Sequence, residues 1–163
     1  MRVFTLLEVI IFLVIVAILL WAADSAVESV RETARNQLRA QISGSLTTAP
    51  PPPLTAASPV VYTLVLNTAG TTKPIGPGSA FHSYLRVTVT FTLVGAGGAQ
   101  FAGGGRSLTV RMNPNTGAGT ASIEPLQDGS DRLQISYTIS KPDGSSPLTV
   151  TDPVPVDFET TKP

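Results

Sequence analysis

The sequence predicts an α+β chain: a long N-terminal α-helix, hydrophobic first and amphipathic after, followed by an all-β, immunoglobulin-like sandwich. Three observations carry that expectation. The stretch FTLLEVIIFLVIVAILLW, from Phe4 to Trp21, is apolar almost without a break. The residues after it return an apolar side chain every three or four positions. Beyond residue 59 the apolar residues alternate with polar ones, the period of a strand. The expected division is a helix over 1–44, a linker rich in Pro, Ser and Thr over 45–58, and an outer β-domain over 59–163.

A helix over Val3–Ala23 is about 30 Å long, the thickness of a bilayer core. Large side chains left in water would each forfeit about 1.5–3 kcal/mol, so the run belongs in lipid or among copies of itself. Its apolar core exceeds that of a secretory signal, and no A-x-A site follows. Ala23, Val27, Val30, Ala34, Leu38 and Ile42 then form one stripe. Gly44 is the expected stop, and Pro50–Pro53 cannot continue a helix. The expected packing positions are Leu7, Ile11, Val14, Ile18, Val27, Val30, Ala34 and Leu38. Beside the stripe, Glu28, Arg31, Glu32, Arg35 and Arg39 contain opposite-sign pairs at i,i+3. Such a ladder either solvates one face of the helix or bridges packed copies. Arg2 precedes the span and no Lys or Arg follows until Arg31, which puts the N-terminus on the cytoplasmic side.

Glu8 stands out. A carboxylate in a membrane helix costs a few kcal/mol at the centre and less near an end, so a partner, or a place near the headgroups, lowers its energy. Phe4-Thr5-Leu6-Leu7-Glu8-Val9, continued by an unbroken apolar helix and an amphipathic half, resembles the start of type IV pilins and pseudopilins. In that family a peptidase cuts before the Phe, whose amine is methylated, and the Glu pairs with the N-terminal amine of a neighbouring subunit. The resemblance covers about residues 4–43 and implies Phe4 as the first mature residue and Glu8 as the carboxylate that sets subunit register. The family has Gly before the cut, whereas this chain has Val3. If Met1 is instead the mature terminus, Glu8 lies two helical turns from the amine and the stagger differs. An all-β domain after the helix is a trait of archaeal relatives. A prepilin peptidase and pilus assembly machinery are the partners so implied.

In the outer domain, Leu85, Val87, Val89, Phe91 and Leu93 alternate with Arg86, Thr88, Thr90 and Thr92. Leu133, Ile135, Tyr137 and Ile139 repeat the pattern, as do Leu108, Val110 and Met112. Val60–Asn67 is apolar on both faces, as a central or covered strand would be. Thr120–Glu124 and Leu148–Thr151 are shorter candidates, and Val154–Phe158, beside Pro153 and Pro155, belongs at an edge. Lys141–Gly144 is a turn. Gly95–Gly105 reads as a long flexible loop whose Phe101 could touch a neighbouring subunit. About seven strands argue a sandwich.

Composition narrows the function. Formal net charge is zero, with 11 basic and 11 acidic residues, which disfavours nucleic-acid binding. No cysteine is present, so disulfides and thiolate metal sites are excluded. The one histidine, His82, gives catalysis little to stand on. Asp128 and Asp131 flank a turn and lack the further oxygens a calcium loop needs. Gly95–Gln100 lacks the Lys-Ser/Thr of a phosphate loop. No catalytic, cofactor or metal site is expected. The abundant Thr reflects either β-propensity or sites for O-linked sugars, and no N-linked sequon occurs. The expected function is a pilin that resides in the cytoplasmic membrane and then polymerises with itself into a surface filament for adhesion or motility. A secretion pseudopilin and a membrane-anchored β-sandwich binding module are the alternatives.

Overall fold

The computed structural model describes residues 6–68, 71–74, 85–113 and 115–162. The chain divides into two compact units at Ala40/Gln41. The first is essentially one helix, α1 (Leu6–Gln41), of 36 residues and about 54 Å. It contains no Pro or Gly. Helix geometry ends before Gly44, because Ile42, Ser43 and Gly44 enter the first strand. These residues are weaker helix formers than the Arg, Ala and Gln before them.

The second unit holds ten strands among the described residues: β1 (Ile42–Thr48), β2 (Ser58–Thr68), β3 (Thr71–Pro74), β4 (Arg86–Gly95), β5 (Ala99–Phe101), β6 (Ser107–Arg111), β7 (Ala118–Pro125), β8 (Gly129–Ser140), β9 (Leu148–Thr151) and β10 (Val156–Thr160). They form two antiparallel sheets. The first runs β1-β2-β7-β5, with β3 also on β2; the second runs β10-β8-β4-β6, with β9 also on β8. Strand β2 is central, as its two apolar faces suggested, and β10 lies at an edge, as its prolines required. β9 and β10 share one edge of β8, opposite Ser136–Ile139 and Gly129–Leu133 respectively. Pro153 and Pro155 fall in the gap between them, where no ladder hydrogen bond is needed.

The core is built from the inward residues of both sheets. Val60, Tyr62, Leu64, Phe101 and Ile123 come from the first, and Val89, Phe91, Leu133 and Ile139 from the second; all are almost fully buried. Two tilted aromatic pairs link the sheets: Tyr62 with Tyr137, ring centroids 6.2 Å apart, and Phe91 with Phe101, 6.4 Å apart. The opposite face of the second sheet carries Thr88, Thr90, Thr109, Thr138 and Thr149. Hydroxyl pairs Thr90–Thr109 and Thr138–Thr149 close at 2.9 Å, so these threonines brace neighbouring strands.

Three expectations are corrected. Residues 45–58, expected as an extended linker, begin inside a strand and are anchored at Leu54. Strand β1 pairs with β2 from Ile42↔Leu66 to Thr48↔Val61. Leu54 is fully buried, donates its N–H to Glu159 O at 2.7 Å and accepts from Thr161 N at 3.0 Å. The Ser/Thr/Pro composition hid this, because the anchorage runs through backbone groups and one Leu. Second, Gly95–Gly105 is tied down, and Phe101 lies in the core rather than on a contact surface. The buried carboxylate of Asp131 accepts the N–H groups of Gly97 (3.2 Å) and Ala99 (2.7 Å), and Arg106 Nη2 at 2.7 Å. Gly95, at φ 141°, must lack a side chain: a Cβ would lie 2.8 Å from Ser130 O. Third, Gly44 acts as a clearance beneath the ring of Tyr62, whose Cε1 would stand 2.5 Å from any Cβ there, and not as the helix stop.

These contacts set two expected outcomes. Asp131→Ala takes the acceptor from the N–H groups of Gly97 and Ala99 and the carboxylate from Arg106, which keeps Ala99 O and Gly95 O, so it should cost the β-unit about 2–3 kcal/mol, read as a lowered near-ultraviolet melting temperature in detergent. Burial, then the hydrogen bond to Asp152 Oδ2 (2.9 Å) and its charge, push the Tyr62 phenol well above its ordinary value of 10.0. Burial, followed by the charge of Asp152, raises Tyr137 too. Above pH 10 the unfolded chain sheds these protons while the fold retains them. Stability should therefore be intact below that pH and fall as pH rises through it. An ultraviolet tyrosinate titration should show ionisation of both rings delayed until the unit unfolds.

Candidate functional site

The candidate site is the surface of α1. Among its described side chains, Leu13, Val14, Ile15, Ile18, Leu19 and Leu20 are between 50% and 67% exposed. They point in all directions, so this half of the helix is apolar all round, the pattern of a membrane span or a bundle core. It is the one described helix apolar and long enough to cross a membrane. In the second half Val27 is 47% and Val30 70% exposed, so these two positions of the stripe are uncovered as well. Eight large side chains at about half exposure forfeit on the order of 10 kcal/mol in water.

Of the expected packing positions, Val14, Ile18, Val27 and Val30 are open, and Ala34 is half-buried. The side chains of Leu7, Ile11 and Leu38 lie outside the described residues, as does that of Glu8, whose backbone falls within α1. Phe4, Met1 and His82 lie outside the described residues altogether.

The charged residues assemble along one face. Arg35 Nη1 donates to Glu28 Oε1 at 2.9 Å and to Glu32 Oε2 at 3.2 Å. Arg31 meets Glu28 at 3.9 Å, the longest of the ion pairs described on the helix. Arg39 donates to Asn36 Oδ1 at 3.4 Å. The reach of Arg35 across two turns to Glu28 is not legible from i,i+3 spacing. Asp24, exposed one turn before Glu28, belongs to the same face and was missed, because it has no opposite charge three or four positions away. Ser25 and Thr33 donate back to Ala22 O (3.2 Å) and Ser29 O (3.0 Å), so neither hydroxyl depends on water.

Elsewhere the turn carboxylates are structural. Asp128 accepts Lys162 N at 2.7 Å, and Asp131 is the buried clamp. Among the described residues no group of three or more His, Cys, Asp or Glu is placed to hold a metal. A cleft of about 280 Å³ between β1 and the β9–β10 connection is lined by Gly44, Tyr62, Tyr137 and Asp152. Asp152 there is engaged by the Tyr62 hydroxyl and by Val154 N. Comparison with protein-family models and with curated proteins gives no match.

Val30→Lys should leave the melting of the outer unit unchanged, because the side chain is open in the single chain. It should abolish any self-association of the helix, since a Lys in a packed apolar stripe loses its solvation. Sedimentation in decreasing detergent reads both effects.

Proposed function

We propose that the chain is the structural subunit of a type IV pilus-like surface filament. It is held in the cytoplasmic membrane by α1 and then polymerised, with the helices in the core and the β-domains outside. The observation that carries this reading is the continuity of α1. A simple anchor needs only an apolar span of about 20 residues. Here the helix runs on through Gln41, and its second half still presents Val27 and Val30 to the surroundings. The Phe4–Val9 segment and the layout of helix followed by β-sheets support the family assignment. Glu8 is the carboxylate that sets register, and it does so against the N-terminal amine of a neighbouring copy.

Electron microscopy of the chain sheared from cells, or released from detergent, tests this. Filaments of a single protein are expected, with a first tryptic peptide beginning at a methylated Phe4. Glu8→Ala should reduce filament yield at least tenfold while membrane insertion persists. Monomers that stay dispersed without lipid, with Val14 and Val30 open to solvent, would falsify the proposal.

A further inference from the structure

The cleft between β1 and the β9–β10 connection holds a charge that the chain leaves unmatched. Its volume of about 280 Å³ suits one long side chain or a molecule of that size. The Asp152 carboxylate forms part of the lining. Its Oδ2 accepts the Tyr62 hydroxyl at 2.9 Å, and its Oδ1 accepts Val154 N at 3.0 Å. A carboxylate offers about four lone-pair sites, so about two stay open. Both donors are neutral, and among the described residues no Lys, Arg or His pairs with Asp152.

Tyr137 gives the cleft a second polar group. The residue is 5% exposed, and its ring packs against that of Tyr62. Its hydroxyl makes no hydrogen bond among the described residues and is not sealed from solvent. It therefore opens into the cleft that the residue lines. A phenol buried this far usually finds a partner inside the protein, whereas this one is left for something that enters. Burial, then the charge of Asp152, keeps the phenol above its ordinary value, so it stays neutral at neutral pH. Asp152 is thus the only formal charge in the lining, beside apolar walls formed by Ile42, Val150, Pro153 and the tyrosine rings. One carboxylate repels anions and falls short of the oxygen set a metal ion needs. A sugar ring stacks on an open aromatic face, and both rings are almost wholly buried. A cation with an apolar stem fits charge and walls together.

We infer that this cleft binds a primary alkylammonium group, the ammonium donating to the Asp152 carboxylate and to the Tyr137 hydroxyl oxygen while the alkyl stem lies along Ile42, Val150 and Pro153. An ammonium carries three donors and one positive charge. It meets the open lone pairs of Asp152, the free oxygen of Tyr137 and the missing charge in one group. Such a bond is charge-assisted, and in a partly enclosed cleft it is stronger than at an open surface. The Tyr62 hydroxyl and Val154 N–H hold the carboxylate from its two oxygens, so its orientation is set before anything binds. The site lies within the β-unit, goes beyond the filament reading and does not depend on it.

The probe is n-butylammonium, the free-amine counterpart of a lysine side chain, titrated into the full-length chain in detergent at neutral pH. The uncharged control is n-butanol. The three tyrosines are labelled as fluorotyrosine, read by fluorine NMR and assigned by single Tyr→Phe changes. The Tyr137 signal should shift saturably with the amine, half-way at about 1–10 mM, and should not follow the alcohol. Asp152→Asn keeps an acceptor for Tyr62 and removes the charge, so affinity should fall by about tenfold or more. Tyr137→Phe removes a hydroxyl that no group in the chain uses, so it should leave the melting temperature unchanged and weaken binding by roughly threefold. Near-ultraviolet dichroism shows whether each variant folds, and Tyr137→Phe carries the test should Asp152→Asn unfold. Lysine blocked at both backbone ends separates two sources of the group. If it binds as tightly as the free amine, a lysine side chain of another protein is admitted; if only butylammonium binds, the ligand is a small free amine. An equal response to the alcohol overturns the assignment, as does the lack of a saturable response to either amine. So does undiminished affinity in a folded Asp152→Asn chain or, in its place, in Tyr137→Phe. None of these outcomes bears on the filament reading.

Discussion

The apolar surface of α1 has to be covered, and the function proposed for the chain rests on that constraint. The outer unit does not need the helix to complete a core: Tyr62, Phe91, Phe101 and Ile123 close against one another between its own sheets. The helix is left with Leu13, Val14, Leu19, Leu20 and Val30 uncovered. Lipid can cover the first half. In the second half an apolar stripe lies beside a charged face, an arrangement that fits a neighbouring protein surface better than a bilayer centre, where each charge costs a few kcal/mol.

Moving such a helix from lipid into a bundle exchanges one apolar medium for another, so the hydrophobic term alone selects no register. Selection falls to the polar groups. In the proposed polymer the polar group is Glu8, set against the N-terminal amine of a neighbouring copy. In the β-unit one sheet edge is protected. Pro153 and Pro155 interrupt one edge of the second sheet, and Leu54 occupies the free side of β10 through two backbone hydrogen bonds. That edge is poorly suited to pair with another chain.

Much of the fold was legible in the sequence. Strands whose large apolar residues alternate, such as Val87–Leu93 and Leu133–Ile139, announced both their positions and their buried faces. The elements that stayed hidden lack that signal. Strand β1 reads Ile-Ser-Gly-Ser-Leu-Thr-Thr, and its place depends on the β2 ladder and on the absence of a side chain at Gly44 beneath Tyr62. Strand β5 is three residues in a Gly-rich run, held by Asp131 and Arg106 from distant parts of the chain. Leu54 was hidden among prolines for the same reason. The apolar stripe of α1 was legible because periodicity is local. Asp24 was not, because it has no opposite charge three or four positions away.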